Sequence, residues 1–245
     1  MLLFLFFAFF ALSLLANAIL IPLAGYWLHM RGGLKYFQSE SLKGNRPQTA
    51  VSYRRELYHA FISDHRAARP VVMFGDSLTA GGLWGEWFGE EVLNRGIGGE
   101  TTRDALMRVS DIAALHPRKV FILFGTNDFG VLPADSTLAN TRQIISTLRS
   151  TSPDSEIYIQ SLLPPPTIDR ESWIAQINGG YRQLVEEYHL HWVDLHPAFA
   201  VGPVMNRQLT IDGIHLSPPG YEVWRRLIEP YMSAPTAEMK ERVAH

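Results

Sequence analysis

The sequence contains no cysteine among its 245 residues. This absence excludes disulfide bonds, a thiolate nucleophile, and zinc or iron–sulfur sites built on cysteine ligands. It does not assign a compartment, because a chain without cysteine is compatible with reducing and oxidising surroundings alike.

The sequence also lacks an excess of charge of either sign. Its formal net charge is -2, and Lys and Arg are scattered along the chain. Nucleic-acid-binding proteins usually carry a basic patch, so we expect no nucleic-acid partner. Hydrophobic residues make up 47% and charged residues 19% of the chain, which is typical of a globular protein with a sizeable core. The length fits one α/β domain and a short additional segment.

A long apolar run lies at the N-terminus. Residues 1–29 are almost entirely Leu, Phe, Ala and Ile, enough for a helix of about 20 residues to cross a hydrocarbon core of about 30 Å. This run predicts a transmembrane anchor. A cleaved signal peptide is the alternative, because Ala-Asn-Ala at 16–18 has the form of a cleavage site. The absence of Lys or Arg before the run, and the apolar sequence that continues to Trp27, favour the anchor.

The chain after the anchor divides into a tether, a domain and a tail. Residues 30–69 begin with a polar tether and end in a helical pattern over 49–67, which predicts a helix that packs on the domain. Residues 70–235 form the predicted domain, and residues 236–245 form a polar tail.

Within the domain, short apolar runs alternate with longer helical patterns, which is typical of a parallel sheet with crossover helices. The pattern predicts five strands, at 71–74, 92–94, 120–124, 157–162 and 192–195. The predicted helices cover 83–90, 101–116, 136–150, 172–189 and 218–230. Ligands bind at the carboxyl ends of such strands, so we expect the functional residues directly after them.

The first predicted strand leads into Gly-Asp-Ser-Leu at 75–78. A serine at a strand-to-helix turn, here Ser77, exposes its hydroxyl beside backbone N–H groups that have no helical acceptor. Ser77 could instead be an ordinary helix N-cap. Thr79 stands where the Gly-x-Ser-x-Gly elbow has its second glycine, which disfavours the ordinary α/β-hydrolase interpretation.

Two further turns carry candidate hydrogen-bond donors. Gly-Ile-Gly-Gly at 96–99 follows the second strand, and its glycines let backbone N–H groups approach an anion. Gly-Thr-Asn-Asp at 125–128 follows the third strand, where Asn127 could donate to a developing oxyanion. An Asx-turn is the alternative role for Asn127.

A carboxylate and an imidazole lie close together before the last predicted helix. Asp212 precedes His215 by three residues, so it can accept a hydrogen bond from one ring nitrogen while the other acts as general base. A metal-binding pair is the competing interpretation, but no further cluster at ligand spacing lies nearby in the sequence.

The four motifs together closely resemble, in order and context, the conserved blocks of the SGNH or GDSL hydrolase family, over roughly residues 70–232. They are most similar to members related to platelet-activating-factor acetylhydrolase. The resemblance implies an α/β, flavodoxin-like three-layer sandwich with a five-stranded parallel sheet, and no metal or organic cofactor. It implies that Ser77 is the nucleophile, His215 the base and Asp212 its partner. It also implies an oxyanion hole formed by the backbone N–H groups of Ser77 and Gly99 and the Asn127 side chain.

The family resemblance predicts an esterase that cleaves short acyl groups, acetyl first, from a carbohydrate or lipid. We expect the substrate pocket to be bordered by the loop at 162–166 and by Trp84, Trp87, Phe129, Leu132, Ile211 and Ile214. Ordinary core packing is the alternative for Trp84 and Trp87. A lysophospholipase or thioesterase acting on longer chains is the first alternative. A glycan- or lipid-binding domain without turnover, and transfer of the acyl group to another hydroxyl, are the others. The sequence does not identify a protein partner.

The orientation in the membrane depends on two opposing arguments. Four basic residues between 31 and 46 follow the anchor, and the positive-inside rule alone would keep that side in the cytoplasm. Large domains, however, translocate with little regard to charge, and many enzymes that resemble this one act outside the cytoplasm. We therefore expect a periplasmic or extracellular domain, with the cytoplasmic face or secretion after cleavage as alternatives.

Overall fold

The computed structural model describes residues 50–60, 69–89 and 91–232. The predicted anchor (1–29), the tether up to residue 49 and the predicted tail (236–245) lie outside the described residues. Within the described ranges, no helix has both the length and the apolar character needed to cross a membrane.

A five-stranded parallel sheet forms the centre of the domain. Its strand order is β2-β1-β3-β4-β5, which is the flavodoxin-like order. All five predicted strands are confirmed, with ends that differ by one or two residues from the predicted ones. Their bounds are β1 Val71–Gly75, β2 Val92–Gly96, β3 Lys119–Leu123, β4 Glu156–Gln160 and β5 His191–Val193.

Helices connect the strands, as the alternating pattern predicts. The helices are α1 Ala50–Ala60, α2 Ser77–Ala80, α3 Trp84–Phe88, α4 Thr102–Leu106, α5 Val109–Ala114, α6 Ala134–Thr151, α7 Glu171–Glu187, α8 His196–Phe199 and α9 Pro218–Met232. Two short 3-10 turns, Thr126–Asp128 and Ile168–Arg170, follow β3 and β4, and a small antiparallel hairpin joins β6 Ala200–Val201 to β7 Val204–Met205. The hairpin and α8 were not predicted.

The prediction of one helix over 101–116 is wrong, because this stretch forms two helices, α4 and α5. The break falls at Arg108, whose backbone (φ -130°, ψ 5°) is not helical. Its guanidinium is buried over the Phe74 ring, 4.6 Å from the centroid, and donates to the Gly75 carbonyl oxygen at 3.3 Å. This contact with the sheet is a tertiary interaction, which the local apolar periodicity does not contain.

The central strands are covered on both faces. Every residue of β1 and β3 is buried, as is usual for parallel strands between two helical layers. In one group of helices α6 packs against α4, α5 and α7. In the other, Trp84 of α3 meets Trp224 of α9 in an edge-to-face contact at 4.9 Å. Trp84 also donates to the Thr79 carbonyl oxygen at 2.7 Å, which fixes the short helix that begins at Ser77.

Candidate active site

Ser77 is the first residue of α2, immediately beyond the carboxyl end of β1. The N-cap of this helix is Asp76, whose Oδ1 accepts from the Leu78 N–H at 2.9 Å. The N-cap role considered for Ser77 is therefore filled by its neighbour. The Ser77 N–H lies in the first turn of α2, where backbone N–H groups have no acceptor within the helix. Hence both the hydroxyl and the N–H of Ser77 are available at the edge of the sheet.

A chain of hydrogen bonds connects Ser77 to Asp212 through His215. The Ser77 Oγ lies 3.1 Å from His215 Nε2. On the other side of the ring, His215 Nδ1 lies 2.7 Å from Asp212 Oδ2. When Nδ1–H donates a hydrogen bond to Asp212, Nε2 is left as the acceptor for the serine proton. This arrangement suits general-base activation of a serine hydroxyl.

Backbone N–H groups of the turn at 212–215 hold the Asp212 carboxylate in place. Asp212 Oδ1 accepts from the backbone N–H groups of Ile214 at 2.9 Å and His215 at 2.7 Å. Gly213 has φ +94°, a conformation that glycine adopts without strain. The hydrogen bond from the His215 side chain, together with the two backbone N–H groups, lowers the pKa of Asp212 to about 2. The carboxylate therefore stays ionised at any ordinary pH and can stabilise a protonated His215.

The glycine loop after β2 lies against the serine. A Cβ added to Gly98 would be 3.7 Å from the Ser77 Cβ, and Gly99 has φ +78°. From the loop after β3, Asn127 Nδ2 donates to the Glu100 carbonyl oxygen at 2.9 Å. The structure thus brings together the three residues of the expected oxyanion hole, and their role as donors stays a prediction.

Asp128 orders the loops around this site. It is fully buried and accepts from the Thr102 N–H at 2.9 Å, from the Thr102 hydroxyl, and from the Thr137 hydroxyl at 2.9 Å. Burial raises the pKa of this carboxyl. Asp128 therefore ties the loop after β3 to α4 and α6.

A small pocket opens beside the triad, with a cavity volume of about 20 Å³. Of the expected pocket residues, Phe129, Ile214 and residues 163–166 of the loop line it. Leu132, Trp84, Trp87 and Ile211 are not among the lining residues. The Leu132 N–H donates to the Asp128 carbonyl oxygen at 2.8 Å, and this turn leaves the Leu132 side chain buried, at 6% exposure. The other lining residues are Leu78, Thr126, Arg170, Trp173, Ile174, Met205 and Gly213.

Several of these lining residues were not anticipated. Arg170 and Trp173 come from the 3-10 turn and helix after β4, and Met205 comes from the hairpin. The Arg170 guanidinium lies 4.7 Å from the Phe129 ring centroid, and Phe129 meets Trp173 edge-to-face at 5.6 Å. The only signal in the sequence was that the segment carrying Arg170 and Trp173 follows a predicted strand. Side-chain contacts between separate loops leave no local pattern.

Comparison with known proteins decides the family. The model of the GDSL-like lipase/acylhydrolase family matches residues 73–223, which is more than half of the chain. The chain belongs to this family. The resemblance drawn from the four motifs is confirmed, and the protein is a GDSL hydrolase, an enzyme of the esterase and acylhydrolase class.

Individual GDSL hydrolases show how far the similarity extends. The platelet-activating factor acetylhydrolase IB subunit alpha1 of Rattus norvegicus is 29% identical over 179 residues, which cover 67% of this chain and 76% of the relative. A GDSL esterase/lipase of Arabidopsis thaliana is 30% identical over 195 residues, which cover 61% and 79%. The crystal structure of a GDSL-like lipase from Bacteroides thetaiotaomicron superposes with a TM-score of 0.64 at 23% identity, covering 73% of this chain and 98% of that one.

Proposed function

We propose that this GDSL hydrolase is a serine esterase that removes short acyl groups, acetyl first, through a covalent acyl-enzyme. The observation that carries the proposal is the continuous chain of hydrogen bonds from Ser77 Oγ through both nitrogens of His215 to Asp212. Such a chain can accept the serine proton and stabilise the imidazolium that forms.

In the proposed reaction, His215 Nε2 takes the proton from Ser77 as Oγ forms a bond to the ester carbonyl carbon. The carbonyl oxygen becomes an oxyanion that accepts from the Ser77 and Gly99 N–H groups and the Asn127 amide. Collapse breaks the ester bond, and the leaving alkoxide takes the proton from His215. Water then attacks the acyl-enzyme as His215 takes its proton. Collapse of this second intermediate breaks the bond to Oγ, which takes the proton back from His215, so the acid and free Ser77 are released.

The size of the pocket supports a short acyl group. Its cavity volume is about 20 Å³. An acetyl methyl group fits this space, whereas a long acyl chain would require the pocket to open. The similarity to an acetylhydrolase subunit at 29% identity also supports acetyl.

Acyl-chain preference tests this proposal directly. We expect the purified full-length protein, kept in detergent, to hydrolyse p-nitrophenyl acetate with a higher kcat/KM than the butyrate, octanoate or palmitate esters. The Ser77→Ala variant supplies the background rate for each ester. A preference for octanoate or palmitate would instead support the lysophospholipase or thioesterase alternative.

The alcohol part of the substrate requires a second comparison. We propose a carbohydrate or lipid ester, and acetate release from an acetylated oligosaccharide and from an acetylated glycerolipid separates the two. Release from neither, combined with acetyl transfer to an added sugar hydroxyl, would support the transferase alternative. Binding of either substrate without any reaction would support the alternative that the domain binds a glycan or lipid without catalysing a reaction.

The proposal includes a location, which rests on the apolar sequence of residues 1–29. This segment would hold the enzyme in a membrane, with the catalytic domain on the periplasmic or extracellular side. Protease added to intact cells should then degrade the domain. Protection in intact cells, with degradation after lysis, would support a cytoplasmic orientation. Release of the domain without membrane disruption would support signal cleavage.

A further inference from the structure

Helix α1 precedes the part of the chain that matches the family, residues 73–223, yet it contacts the loop that carries Gly99. Its Arg55 donates from Nε to Glu100 Oε1 at 2.7 Å and from Nη2 to Asp104 Oδ1 at 3.0 Å. One guanidinium therefore binds two carboxylates, one directly after the glycine loop and the other in α4.

Glu100 connects Arg55 to Gly99 and Asn127, the two expected oxyanion donors other than Ser77. It follows Gly99 in the chain, and its carbonyl oxygen accepts from the Asn127 amide at 2.9 Å. Its carboxylate is 1% exposed, and its second oxygen, Oε2, lies 2.8 Å from Arg108 Nε and 2.6 Å from Arg108 Nη2. A movement of Glu100 would consequently displace both Gly99 and Asn127.

A second residue of α1 contacts the start of the same loop. The Tyr58 hydroxyl donates to the Gly96 carbonyl oxygen at 3.4 Å, and the Arg95 guanidinium lies 4.6 Å from the Tyr58 ring centroid. Together with Arg55, these contacts hold the loop at both ends, before and after the glycines at 98 and 99.

The charges in this cluster also affect the oxyanion. Two cations, Arg55 and Arg108, balance two anions, Glu100 and Asp104. Without the Arg55 charge, one negative charge would remain in excess beside the position where the oxyanion forms, and Glu100 would lose one of its two partners. Both changes disfavour a negative charge at the position of the oxyanion.

We propose that Arg55 is a positioning residue for the oxyanion hole, which acts by holding Glu100 so that the Gly99 N–H and the Asn127 amide are in place. This inference rests on the proposed function. It assigns α1, which lies outside the family match, a role in turnover as well as in folding.

The test compares Arg55→Gln with Arg54→Gln, a substitution of the exposed neighbour on the same helix, in the full-length protein with p-nitrophenyl acetate. We expect Arg55→Gln to lower kcat roughly 10- to 100-fold, less than the roughly 10²- to 10³-fold loss on removal of a donor. KM should stay within about twofold, because substrate binding does not use the oxyanion hole as the transition state does. Arg54→Gln should keep the wild-type kcat, and Arg55→Lys should recover part of the loss because it keeps the charge.

A double-mutant comparison separates positioning from a general structural effect. In an Asn127→Ala background, Arg55→Gln should lower kcat by a smaller factor than in wild type, because part of what it positions is already absent. Unchanged kcat in Arg55→Gln would overturn the inference, as would an equal loss in Arg54→Gln or fully multiplicative losses with Asn127→Ala. If wild-type turnover depends on Ser77, these results leave the proposed function intact. If it does not depend on Ser77, both fail.

Discussion

Ser77 and His215 are 138 positions apart in the chain, and their side chains meet at 3.1 Å. The residues of this site could be chosen from the sequence because each motif directly follows a predicted strand or precedes the last helix. Their closeness results from the parallel sheet, which brings its strand ends to one edge. The sequence could not decide in this way whether Leu132 or Arg170 reaches the pocket, because turns and contacts between separate loops determine it.

Asn127 gives the first prediction at the residue scale. Because its amide is expected to donate to the oxyanion, Asn127→Ala should lower kcat roughly 10²- to 10³-fold, about 2.7–4 kcal/mol in the barrier, with little change in KM. Steady-state kinetics with p-nitrophenyl acetate measures this, and an unchanged unfolding temperature shows that the fold is retained. Wild-type turnover in Asn127→Ala would remove the residue from the oxyanion hole.

Asp76 gives a second prediction, on stability. Burial raises the pKa of this carboxyl to about 7, and its Oδ2 has no hydrogen-bond partner among the described residues. Between pH 4 and pH 7 the unfolded chain therefore ionises at Asp76 while the folded protein holds the proton, so this residue makes folding less favourable as pH rises. Asp76→Asn cannot ionise. Its free energy of unfolding should rise relative to wild type by on the order of 2–4 kcal/mol between pH 4 and pH 7.

Urea unfolding at several pH values measures this difference for Asp76→Asn. The control is Asp154→Asn, which changes an exposed aspartate far along the chain. The prediction concerns the dependence on pH, since the asparagine amide can add a constant cost of its own. Parallel stability curves for wild type and Asp76→Asn would contradict it.

At the scale of secondary-structure elements, the strands and long helices follow from apolar periodicity. The sequence could not predict that 101–116 would break into α4 and α5, because the break depends on the burial of Arg108 against Phe74 and Glu100. The hairpin of β6 and β7 has only two residues per strand, too few for an alternating pattern.

Two glycines provide a matched prediction for these elements. A Cβ on Gly96, at the end of β2, would lie 2.2 Å from the Ala80 backbone nitrogen, whereas a Cβ on Gly179, in α7, meets no atom within 4 Å. Gly96→Ala should therefore destabilise the protein by about 1–3 kcal/mol through overpacking, and lower turnover because α2 carries Ser77. Gly179→Ala should stabilise it by about 0.5–1 kcal/mol, since alanine is the better helix former. Chemical denaturation measures both, and equal effects would show that the backbone approach at Gly96 is not tight.

At the scale of the whole molecule, the sheet order places the serine turn, the glycine loop and the asparagine turn after β1, β2 and β3, which are neighbours in the order β2-β1-β3. This arrangement explains why four short motifs were sufficient to indicate the family. Helix α1, by contrast, was expected only to pack on the domain. The contacts of Arg55 depend on where the glycine loop lies in three dimensions.

The central claim is that the hydrogen-bonded chain of Ser77, His215 and Asp212 makes the protein a serine esterase. The most direct measurement is p-nitrophenyl acetate hydrolysis by the wild-type protein and the Ser77→Ala variant, prepared in parallel and matched by unfolding temperature. We predict hydrolysis by the wild type that falls to the background rate in Ser77→Ala. Equal rates in the two proteins would contradict the claim and favour a binding domain or an acyltransferase of narrow specificity.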